Sequence, residues 1–129
     1  MQNEKLRIAL DLNGLWEGLR GRGGLITGCI VVRREAAETR SAELNDFLTR
    51  YAEAVDWVSA NATEAAKLME RHDIIKAAVA EQALPYCHIV CITGEEMEAQ
   101  LAAYLEVLAA QNTTAVGGTL PDEDFYYLK

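Results

Sequence analysis

The sequence predicts an α/β protein in which two or more strands precede about four helices. Three observations carry this. "KLRIALDL" (Lys5–Leu12) sets Leu6, Ile8, Leu10 and Leu12 against Arg7, Ala9 and Asp11, the period-two pattern of a strand. "LITGCIVVRR" (Leu25–Arg34) is mostly apolar and β-rich, as suits a strand with neighbours and cover on both faces. From Ser41 onward apolar residues recur at three- and four-residue steps, which is the period of a helix.

Taken in order, Asn13-Gly14 breaks the first strand, and "LWEGL" (Leu15–Leu19) allows one short helical turn. "RGRGG" (Arg20–Gly24) is a loop by composition. Within the second strand, Gly28 marks either a bulge or bend, or a close approach by another group. Leu44, Phe47, Leu48, Tyr51, Val55 and Val58 draw one apolar stripe along the first long helix. Asn61 with Glu64 reads as a variant capping box opening a second helix that ends near His72-Asp73. A third runs over Ile74–Leu84 and is stopped by Pro85. Tyr86–Thr93 is extended or loop. Thr93 as N-cap with Glu96 three residues on is a capping box proper, and its helix reaches about Gln111, burying Met97, Leu101, Leu105 and Leu108. The tail "AVGGTLPDEDFYYLK" then offers two permissive glycines, a Leu-Pro-Asp turn and three consecutive aromatics, the composition of a docking strap.

A chain of 129 residues has the size of one ordinary domain, and half its residues are hydrophobic, which excludes a disordered chain. The net charge of −8 argues against nucleic acid as a partner, because phosphates demand clustered Lys and Arg. Residues 1–40 hold seven basic against five acidic side chains, a balance of +2, whereas residues 41–129 stand at −10. Two structurally different regions are expected from that asymmetry. No apolar run approaches the roughly 20 residues needed to span a bilayer. "MQNEKLRIALDLN" has no apolar core after a basic start, so no signal peptide is expected. Cys29, Cys87 and Cys91 are too few, and odd in number, for a disulfide framework.

No catalytic signature emerges. Cys87-His88-x-x-Cys91 is the nearest approach to a metal cluster, but zinc would need a fourth ligand and the paired Cys-x-x-Cys spacing is missing. His72 and Asp73 fit a helix end better than a catalytic pair, since no nucleophile accompanies them. Arg20–Gly24 lacks the Lys-Ser/Thr ending of a phosphate loop. Glu95, Glu96 and Glu98 are a solvated first turn. The expectation is no catalytic residue, no metal and no cofactor.

Four segments together resemble the C-terminal part of extracytoplasmic solute-binding proteins of ABC importers. The branch concerned serves nitrate, sulfonates, taurine and thiamine precursors. They are "LRIALDLNGLW" (Leu6–Trp16), "GCIVVRRE" (Gly28–Glu35), "ALPYCHIVCITGEEM" (Ala83–Met97) and "NTTAVGGTLPDEDFYY" (Asn112–Tyr127). They occur in the family's order, and the last two are the specific ones. The resemblance implies an incomplete type II periplasmic-binding-protein-like fold. Residues 1–34 would supply the end of a second lobe and its crossing strands, and residues 35–129 the helical C-terminal part of the first lobe with a terminal strap. Family members are about twice this length, as two domains require, and trap a solute between lobes for a membrane permease. By resemblance the parent is periplasmic or extracytoplasmic. The one ligand-facing stretch retained is Thr27, Gly28 and Cys29, near the hinge; Gly28 would let backbone approach a ligand or merely allow a bend. His88 and Cys91 stand where the family often has other residues.

These features imply a truncated solute-binding protein that is not an enzyme and does not bind solute alone. The alternative is a small helical module that self-associates, as a homodimer, to cover its apolar strands.

Overall fold

The structure is a computed structural model that describes residues 9–20 and 24–128. Among these residues the regular secondary structure is all helical. The helices are α1 (Leu12–Arg20), α2 (Arg34–Thr39), α3 (Ser41–Ala60), α4 (Ala62–Arg71), α5 (Ala77–Ala83) and α6 (Gly94–Gln111). Single 3-10 turns follow at Leu84–Tyr86, Thr113–Val116 and Glu123–Phe125. No helix among the described residues is long and apolar enough to cross a membrane.

The expected α/β fold is overturned, because no described residue lies in a strand. Lys5–Ile8 falls outside the described residues, Ala9–Asp11 is irregular, and Leu12 opens α1 instead of closing a strand. The second expected strand is irregular from Leu25 to Arg33, and Arg34 begins α2. The reason is the lack of a partner. Strand patterning makes a strand only when a neighbour takes up its N–H and C=O groups. No backbone hydrogen bond joins Leu25–Val32 to another described segment. Val31 is left 82% exposed and Ile30 51%.

Two compact units divide the chain. One is Glu38–Cys91; the other combines the described residues up to Ala37 with the chain from Ile92 onward. In the first unit the predicted stripe of α3 is largely in place. Val55 is buried, while Leu44, Leu48, Tyr51 and Val58 are half-buried and Phe47 is exposed. Ala65, Ala66 and Ala80 are 2%, 1% and 2% exposed, so the packing around α4 and α5 is built on small side chains. Thr63 Oγ1 donates to Glu81 Oε1 at 2.6 Å across the same pair of helices. With Val55, these alanines are the only buried hydrophobic residues among those described.

Helix ends depart from their expected caps. Asn61 precedes α4, but its amide Nδ2 donates back to the Trp57 carbonyl at 2.9 Å, and Glu64 holds Lys67 at 2.7 Å. Thr93 makes no side-chain cap, Gly94 takes φ 66°, and Glu96 instead accepts from Gln100 Nε2 at 3.1 Å. At the other end of α4 the closure is a Schellman motif. Asp73 N–H bonds the Glu70 carbonyl and Ile74 N–H bonds the Met69 carbonyl, with Asp73 left-handed at φ 55°. The third expected helix therefore loses its first turn and starts at Ala77. Pro85 acts as expected, ending α5 at Ala83 and entering a 3-10 turn.

In the second unit, Trp16 of α1 meets Tyr104 of α6 with ring centroids 5.2 Å apart. The Asp11 carboxylate accepts from Asn13 N–H at 3.1 Å and caps α1, a helix of nine residues where a single turn is expected. Met97, Leu101, Leu105 and Leu108 are half-buried, not buried. The tail turns at Gly117 (φ 80°) and Gly118 (φ 98°), whose N–H groups close on the Thr114 and Thr113 carbonyls.

Candidate functional site

The expected ligand-facing residues Thr27, Gly28 and Cys29 lie together in the irregular segment before α2, and all three are exposed. A Cβ placed on Gly28 would meet no atom within 4 Å, and its φ is not in the left-handed region. Neither crowding nor backbone strain therefore demands glycine there, and the stretch presents an open backbone edge. Cys29 is a free thiol.

Cys87, His88 and Cys91 do not assemble a metal site. Among the described residues, no group of three or more His, Cys, Asp or Glu could hold a metal ion. Cys87 Sγ donates to the Ala83 carbonyl at 3.3 Å, serving the end of α5. His88 is exposed and left-handed at φ 47°, a region where His is enriched over most residues. His72 occupies the C-cap of α4, its N–H on the Leu68 carbonyl at 3.0 Å. Arg20–Gly24 falls largely outside the described residues.

What sequence reading missed is a cleft of about 250 Å³ in the first unit, where the α3–α4 corner faces the chain after α5. Val58, Ser59 and Ala62 form one wall; Leu84, Pro85, His88 and Ile89 form the other. The signals lay in the break at Asn61 and the stop at Pro85, which turn the backbone on both sides of it. Ser59 gives its hydroxyl proton to the Val55 carbonyl at 3.1 Å, so only its lone pairs remain for a visitor. The walls mix apolar side chains with the Ser59 hydroxyl, left as an acceptor, and the exposed His88 imidazole, and they include no activated nucleophile.

The perturbed charges lie elsewhere. Glu70 is held below the usual carboxylate range, first by the hydrogen bond from Lys76 and then by Ala77 N–H. Its oxygens stand 3.1 Å from Lys76 Nζ and 3.4 Å from Ala77 N, so one carboxylate ties the α4 terminus to the start of α5. Lys67 is raised by its hydrogen bond to Glu64. On the tail, Tyr126 is raised, mainly by burial and then by the carboxylates of Glu98 and Glu106 on α6. Arg34 donates to the Asp124 carbonyl at 3.3 Å and lies 4.0 Å from its carboxylate, and Phe125 packs edge-on against Tyr126 at 5.2 Å. These contacts anchor the strap in its own unit.

Comparison with protein-family models, with curated proteins and with solved structures finds no match for the chain.

Proposed function

We propose that this polypeptide is part of an ABC-importer substrate-binding protein, contributing helices and the C-terminal strap to a receptor completed by further polypeptide. The observation that carries the reading is apolar surface without cover. Four small or medium side chains are buried among the described residues, while Ile30, Val31, Tyr86 and Val90 stand more than half exposed. Each buried CH2 is worth about 0.8 kcal/mol, so the packing present leaves much stabilisation to be gained from a partner. The type of receptor rests on the resemblance of Ala83–Met97 and Asn112–Tyr127 to importer proteins. Under this reading the parent captures a small solute outside the cytoplasm and delivers it to a membrane permease, without catalysis. Thr27, Gly28 and Cys29 are the ligand-facing residues this part supplies.

The same uncovered surface favours a second reading, a helical module that covers Leu25–Val32 with another copy of itself. One experiment separates the two: capture of the native polypeptide from its source cells with an antibody to the tail, followed by intact mass and light scattering. A mass about twice the 14.2 kDa of these residues, the size of a two-domain receptor, supports the importer reading. A 14.2 kDa polypeptide that dimerises supports the module. A 14.2 kDa polypeptide that stays monomeric at high concentration overturns both.

A further inference from the structure

We draw no further inference here: the strongest candidate, the open cleft between the α3–α4 corner and Leu84–Ile89, has no buried polar side chain among the described residues to select a ligand, and nothing in the structure shows what fills it.

Discussion

Glu70 and Asp73, three residues apart, show how single side chains fix the backbone between α4 and α5. The Glu70 carboxylate receives both Lys76 and the first amide of α5. Because its folded-state pKa is depressed, the stabilisation it gives is present above the unfolded carboxylate range and is lost as pH falls through the folded value. In an NMR titration the Glu70 carboxyl is expected to lose its proton below the ordinary glutamate midpoint of roughly 4.3. Lys76→Met should move that midpoint upward; an unchanged midpoint would remove Lys76 as the cause. Asp73 occupies the left-handed position of the Schellman closure, which short polar side chains tolerate and β-branched ones do not. Asp73→Val is expected to cost about 1–2 kcal/mol in urea unfolding, with Asp73→Asn near neutral. Equal stability for all three would show that the turn is not held at that angle.

Elements were legible in the sequence where their cause is local. The α3 stripe, the Pro85 stop and the end of α6 at Gln111 follow from side-chain period and backbone sterics; the stripe appears except at the exposed Phe47, and the other two appear as read. Strands were misread because their cause is not local. Leu25–Val32 has strand composition, but a strand exists only as part of a ladder, and no described segment forms one with it. Caps failed for a third reason. Asn61 makes no side-chain cap on α4 and gives its Nδ2 proton to the Trp57 carbonyl, while Glu96 accepts from Gln100 Nε2 instead of from the Thr93 amide. The cleft is harder to read, because its walls, Val58–Ala62 and Leu84–Ile89, come from separate stretches of chain that only the fold brings together. The buried positions of α4 and α5 are all alanines, so a larger residue there meets closely packed neighbours. Ala66→Leu is expected to destabilise the first unit by about 1–3 kcal/mol through overpacking. Ala54→Leu, on an exposed position of α3, should change stability by less than about 0.5 kcal/mol. Unfolding midpoints of the two variants decide the point, and a silent Ala66→Leu would mean that the helices separate easily.

For the molecule as a whole, the functional reading turns on what completes it. If the solute contacts of the receptor lie mostly in other polypeptide, this chain alone should bind no sulfonate, nitrate or pyrimidine precursor tightly. Isothermal titration is expected to show no saturable heat at micromolar concentration. Micromolar affinity would overturn that division of labour and place a working site within these residues. The charge distribution bears on the same question. The region after Ser41 stands at −10, so a partner covering its helices meets a strongly acidic surface. Association through it should therefore respond to ionic strength, whereas cover over Leu25–Val32 should not.

The irregular run before α2 also has a consequence for handling and for the cell. Leu25–Val32 is apolar, β-prone, uncharged and free of proline, and its exposed backbone offers a template on which identical segments could stack into fibrils. Arg33 and Arg34 follow it directly, in the position of gatekeepers whose like charges oppose such stacking. Replacing both with alanine is expected to shorten the lag before thioflavin-positive aggregates form. Ile30→Lys in the same background should lengthen it again. If aggregation is indifferent to all three positions, the segment is shielded in solution, and the two arginines serve only their own unit.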